Sequence, residues 1–388
     1  MRKVIGVIIF LTLCITFYSL SNSQFYGKTI RLGMSGPLSG GLNSVGNQFL
    51  MGANLYLKNV NETGGIYGKK VEIIVKDDRY EPKLAVENVN ELIHKENVFA
   101  LFGIIGTSSA EAVFPLVVEH NIPFIGTYSG AEFLRNPPNP LILNARAGDL
   151  DEIEQLVHYF ADEKKLKRFA MFYQNDSYGR TGLNGLKESL HKRNLSLACE
   201  GSYKRNTLSV GNALYEMEQC QPEVIIMMGA TNAVAYFIDR ARLSKKLSKN
   251  LFFGLSSFVE PKPLIHLLDG DGKNLIFAQV VPSPWTSDVE EVERYRDLMK
   301  SFYPREDLSY ASLEGYFAAR MIVEVLKEIG PTLNRQTFIN TLSAFSKKLD
   351  ERAVSTNRDE RCRCLHKVHL SEYVDNDFYS VGSISVNP

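Results

Sequence analysis

From Thr29 to roughly Ala278, short apolar runs alternate with stretches of helical spacing, and this alternation marks an α/β chain built on parallel sheets. Thr29 to Gly33 is a strand ending in Met34-Ser35-Gly36-Pro37. Val45, Phe49, Ala53, Tyr56 and Val60 then recur at helical spacing, and Gly64-Gly65 closes that helix. Val71 to Val75 is the next strand, ending in Asp77-Asp78, and Pro82 suits a first helical turn. Val98 to Ile105 and Ile122 to Ile125 complete the first series. After the loop Asn136-Pro137-Pro138-Asn139-Pro140 and a strand from Leu141 to Asn144, a second series begins near Asp151. Its buried strands are Phe169 to Tyr173, Leu195 to Cys199, Val224 to Met228 and Leu251 to Phe253. Two such series end to end imply two lobes with a cleft, and ligands of these sheets lie beyond the carboxyl ends of the strands. Helical patterns at Val289 to Phe302 and Ala311 to Lys327, and strand-like segments near the C-terminus, have no lobe of their own. They are expected to cross back and complete the two earlier sheets.

Two consecutive strands each stop on a turn of small and hydroxyl residues, Gly106-Thr107-Ser108-Ser109 and Gly126-Thr127-Tyr128-Ser129. Helix-compatible sequence follows the first, so free backbone N–H groups and hydroxyls could converge there on an anion such as a carboxylate. Helix capping by Ser and Thr is the plainer reading of either turn alone. The donors are fixed, and no nucleophile–base pair accompanies them, which points to holding a ligand without transforming it.

Arg2 and Lys3 precede an apolar run from Val4 to Phe17, with small residues at Ser19, Ser21 and Ser23. This reads as a secretory signal peptide over residues 1–23, a retained N-terminal anchor being the alternative. Leu13 before Cys14 argues against lipidation. The run is too short for a comfortable span and nothing later resembles one, so a soluble protein outside the cytoplasm is expected. Lys plus Arg equals Asp plus Glu at 44 each; without Arg2 and Lys3 the balance is 42 against 44, about −2. That charge carries no nucleic-acid footprint and no polybasic patch for a lipid surface. Roughly 365 mature residues exceed what one core usually supports, again implying two domains. Cys199, Cys220, Cys362 and Cys364 allow three disulfide connectivities. Cys362-x-Cys364 with His366 and His369 has little room to wrap a metal, so neither metal nor cofactor is expected.

Several segments resemble type I periplasmic binding proteins of the leucine/isoleucine/valine-binding class, the substrate-binding subunits of ABC importers. They include residues Met34 to Gly40, Asn61 to Lys70, Lys76 to Pro82, Gly103 to Ser109, Ile122 to Arg135 and Tyr173 to Gly179. Arg205-Asn206-Thr207, Ser256-Ser257-Phe258, Gln279 to Pro282 and Ser312 to Tyr316 continue the resemblance in order over nearly the whole mature chain. It implies two Rossmann-like lobes joined by three crossovers, closing on a small solute by a hinge. The first lobe would take Lys28 to Arg146 plus Pro282 to Leu349, and the second Ala147 to Val281 plus the C-terminal strands (residues 350–388). The closed form would be what a membrane permease recognises.

Residue by residue, the resemblance puts the family's carboxylate-binding hydroxyl on Thr107, with Ser108 beside it, and further donors on Tyr128 and Ser129. The side-chain pocket near the first loop maps onto Leu42 and Val45, which could equally pack that loop. Where amino-acid binders of the class place an acid for the ligand ammonium, this chain has Ser256 or Ser257. Glu260 could swing in or could be a helix-start acid. An expected aromatic wall is replaced by Gly229-Ala230-Thr231, while Tyr178 remains as a lid residue. The resemblance therefore implies capture of a small polar solute, an amino acid or analogue, in the periplasm for an ABC permease. The alternative is a sensor component presenting an amide, a urea-like compound or a small carboxylate to a chemoreceptor or histidine kinase. An enzyme is not expected: no dinucleotide loop, phosphate loop, Gly-x-Ser-x-Gly elbow or His-Glu-x-x-His helix is present.

Overall fold

The computed structural model describes residues 28–144, 146–354, 367–375 and 377–382. The leader, Cys14, Cys362, Cys364 and His366 lie outside them. The chain forms two sheets. The first has the order β2-β1-β3-β4-β5, from β1 (Thr29–Gly36), β2 (Lys70–Asp77), β3 (Ala100–Phe102), β4 (Phe124–Ile125) and β5 (Ile142–Leu143). Its neighbours are all parallel. The second has the order β12-β11-β10-β9-β8-β6-β7, from β6 (Phe169–Gln174), β7 (Leu197–Tyr203), β8 (Val224–Met228), β9 (Phe252–Leu255), β10 (Leu275–Gln279), β11 (His369–Val374) and β12 (Asp377–Val381). Here β11 runs antiparallel to β10 and β12 antiparallel to β11, while the rest are parallel. The α/β class with parallel-dominated sheets is as expected, and the strand-like tail forms the antiparallel edge of the second sheet.

Strands β6 and β8 are buried at every position, which is why they read as unbroken apolar runs. Helices cover both sheets: α1 (Asn43–Glu62), α2 (Pro82–His94) and α3 (Thr107–Glu119) belong to the first series. The second series supplies α4 (Asp149–Val157), α5 (Ser177–His191), α6 (Gly211–Cys220), α7 (Thr231–Leu243) and α8 (Pro261–Leu267). Then come α9 (Glu290–Phe302), α10 (Tyr310–Ile329) and α11 (Arg335–Val354). The α1 stripe Val45, Phe49, Ala53, Tyr56 and Val60 is buried, against α10 in particular. At the crossing a Cβ on Gly52 would stand 1.7 Å from the Ser312 carbonyl oxygen, and one on Gly315 2.0 Å from that of Phe49. The two helices thus meet backbone to backbone, and α10 returns the chain to the first sheet. A Cys199–Cys220 disulfide joins β7 to the end of α6, choosing one pairing among those the sequence left open.

Candidate functional site

Every loop that carries a sequence-predicted polar site residue leaves the carboxyl end of a strand, and the two sets of loops face each other. Strand β3 runs into the start of α3, where Thr107 and Ser108 occupy the first turn; β4 runs into Tyr128 and Ser129. The Thr107 and Ser129 hydroxyls lie 2.8 Å apart and are hydrogen-bonded, both buried. From the opposite side, Ser177 Oγ meets Ser108 Oγ at 2.9 Å, and the Tyr128 hydroxyl donates to the Ser257 carbonyl at 3.4 Å. Tyr178, at the start of α5, shares a 2.7 Å hydrogen bond with Ser256. Burial raises the Tyr128 and Tyr178 hydroxyls well above the ordinary phenol range, so both stay neutral hydrogen-bonding groups at physiological pH.

Two predicted residues take no part in these hydrogen bonds. The Thr231 hydroxyl accepts from the Glu260 amide at 3.3 Å, and Val45, with Leu42, is buried in the main core. Glu260 does not swing toward the serines: its carboxylate accepts the Ala311 amide at the start of α10 at 2.8 Å. Burial, and less so Glu314, push it up to about 8.

The sequence missed the charged floor of the gap. Arg146, which served there only as a lobe boundary, is buried and donates through Nη1 to both carboxylate oxygens of Glu314 at 2.7 and 2.6 Å. Through Nη2 it bonds the Ser257 hydroxyl, and Glu152 lies 3.6 Å away. Glu152 in turn accepts from the Ser257 amide at 2.7 Å and hydroxyl at 2.6 Å. The guanidinium also stacks 4.4 Å from the Tyr128 ring centroid. Burial opposes its charge, yet Glu314 first and then Glu152 hold it well above the ordinary arginine value.

The aromatic wall was missed as well. Phe258 projects among Tyr80, Tyr128 and Tyr178, with ring centroids at 5.9, 5.7 and 5.1 Å. Tyr80 is pinned from across the gap: Gln174 Nε2 donates to its hydroxyl at 3.2 Å, and Arg205 donates to its carbonyl at 3.0 Å while stacking on its ring. The Ser-Ser-Phe motif carried a signal for Phe258, since an aromatic following two polar loop residues has to pack somewhere. Among the described residues no group of three or more His, Cys, Asp or Glu side chains is placed to hold a metal ion, and no helix is long and apolar enough to cross a membrane.

Two sheets whose carboxyl ends oppose each other, with hydroxyls and a buried cation between them, define a solute-binding architecture. The family model described as "Periplasmic binding protein" matches residues 29–363, and the chain belongs to that family. It is 23% identical over 313 residues to Leu/Ile/Val-binding protein homolog 7 of Brucella suis, covering 77% of each chain. It superposes on a possible leucine/isoleucine/valine-binding protein from Rhodopirellula baltica with a TM-score of 0.82 at 26% identity, covering 93% of this chain and 97% of that one. An ABC transporter solute-binding protein from R. palustris, solved with benzoate, shares the fold with a TM-score of 0.74 at 16% identity, covering 91% and 96%.

Proposed function

We propose that the protein captures a small polar solute, an amino acid or close analogue, between its two lobes and delivers it to an ABC permease outside the cytoplasm. In this reading the lobes take the bounds proposed from the sequence, residues 28–146 plus 282–349 for one and residues 147–281 plus 350–388 for the other. Thr107, Ser108, Tyr128 and Ser129 hold the acidic end, and Tyr178, Thr231 and Ser257 belong to the lobe that closes over it, with Val45 behind. The observation that carries this reading is the 2.8 Å approach of Thr107 to Ser129, two hydroxyls from neighbouring strand ends meeting beneath the opposite lobe. Charge-assisted hydrogen bonds from such donors are roughly twice as strong as neutral ones, so they can orient a carboxylate. Relatives named for leucine, isoleucine and valine, and a neighbour solved with benzoate, have a carboxylate in common.

A thermal-shift screen against amino acids, amides, ureas and small organic acids tests it, because a solute that binds only the folded chain raises its melting temperature. At a ligand concentration a hundredfold above Kd the expected stabilisation is about 2.7 kcal/mol. A carboxylate-bearing amino acid or analogue is expected among the hits. Hits confined to solutes with no carboxylate or carbonyl end would contradict the reading.

A further inference from the structure

We propose that Asp149 is the group that receives the ammonium of the bound solute, in place of the acid that Ser256 and Ser257 do not supply. The inference rests on the cleft reading above and deepens it, because it fixes the solute as a cation at one end.

Asp149 opens α4 and is 2% exposed. Its carboxylate is directed at the ligand-holding turn: the Asp149 amide donates to the Gly130 carbonyl at 2.9 Å, and Gly130 follows Ser129 directly. A Cβ on Gly130 would stand 2.2 Å from Asp149 Oδ1 and 2.5 Å from the Asp149 backbone nitrogen. The carboxylate therefore fills the space that a side chain would fill beside Ser129, and glycine at 130 is what admits it. Its second oxygen, Oδ2, is buried without a hydrogen-bond partner. Buried polar atoms are rarely left so, and a buried carboxylate costs several kcal/mol unless a cation or donors answer it. An ammonium seated between Ser129 and Tyr178 supplies that answer. After burial, Asp149 is the strongest influence raising the Tyr178 hydroxyl.

Asp149 shares the buried floor with Glu152, Glu260, Glu314, Arg135 and Arg146. Burial first, then Glu152 on the same helix, push Asp149 up to about 7, against Arg146 and Arg135, which favour its charge, and the Gly130 amide. A cationic solute reverses that shift and expels the proton.

The test is calorimetry on the mature wild-type chain with each of the twenty amino acids, and with the ammonium-free acid of every one that binds. At least a tenfold preference for the ammonium-bearing partner is expected, and Asp149→Asn should erase the preference while retaining the ammonium-free acid. Titration at pH 6 in two buffers of different ionisation enthalpy should show close to one proton released per amino acid bound, and almost none at pH 8.5. That readout needs no variant, so absence of proton release overturns the assignment even should Asp149→Asn not fold. Equal or better binding of the ammonium-free acid, no amino acid bound, no proton release, or an undiminished preference in Asp149→Asn would each overturn the assignment. Loss of all binding in a Thr107→Ala/Ser129→Ala variant beside an unaffected Asp149→Asn would keep the cleft and remove only Asp149.

Discussion

Arg146 draws its partners from three separate stretches of chain: Glu152 one turn into α4, Ser257 after β9, and Glu314 in α10. A buried guanidinium is tolerable only because all of them converge, and removing one leaves charge that nothing replaces. Glu314→Leu is therefore expected to destabilise the protein by about 3 to 5 kcal/mol in urea denaturation. A loss below about 1 kcal/mol would mean that Glu152 and Ser257 suffice alone. The contrast with the hydroxyls explains what the sequence could disclose. Thr107, Ser108 and Ser129 sit in strand-end turns whose local composition announces them, whereas Glu314 is 168 positions from Arg146 and gains its role only through tertiary structure. Glu260 shows the same limit: its carboxylate neither reaches the serines nor caps its own helix α8, but accepts the Ala311 amide at the start of α10.

Strand and helix identities were legible at the level of elements, since each buried strand is an unbroken apolar run and each helix carries a stripe. Their ends were less so. Val98 to Ile105 contracts to the three residues of β3, and Leu195 to Cys199 becomes β7, running on to Tyr203. Gly103 carries positive φ just past β3, and the second half of β7 is held by its pairing with β6 more than by its own composition. The contact between α1 and α10 was also invisible, although it docks the returning chain on the first sheet. Gly52 lies 1.7 Å, measured from an added Cβ, from a backbone oxygen that cannot step aside. Gly52→Ala should accordingly cost about 1 to 3 kcal/mol, the usual penalty of overpacking, despite the better helix propensity of alanine. Thermal denaturation reads it directly; an unchanged or higher melting temperature would show that the helices separate freely.

The whole molecule buries acids whose protons it holds more tightly than the unfolded chain does. Asp78 is pushed up to about 6, Asp149 to about 7 and Glu260 to about 8, in each case chiefly by burial. Against ordinary values of 3.8 for aspartate and 4.5 for glutamate, their stabilising contribution is complete below about pH 4. It fades as pH rises through the folded values. Glu91, drawn down to about 2 by Lys76 and Lys95, changes charge below 4.5 and does not oppose this trend; His369, lowered to about 4 by burial, opposes it only below 6.5 and is outweighed by the three acids. The melting temperature of the solute-free protein should thus be higher at pH 5 than at pH 8.5, and a rise over that interval would contradict the buried-acid account.

The same scale holds the functional claim, that hydroxyls of one lobe grip a solute under the other. Calorimetric titration of the leading thermal-shift hit into wild type and into the Thr107→Ala/Ser129→Ala variant measures it most directly. Losing both hydroxyls is expected to weaken binding by about 2 to 4 kcal/mol, the sum of typical losses for hydrogen bonds to a charged group. Affinity unchanged within about 0.5 kcal/mol, in a variant that melts like wild type, would place the solute somewhere other than between these lobes.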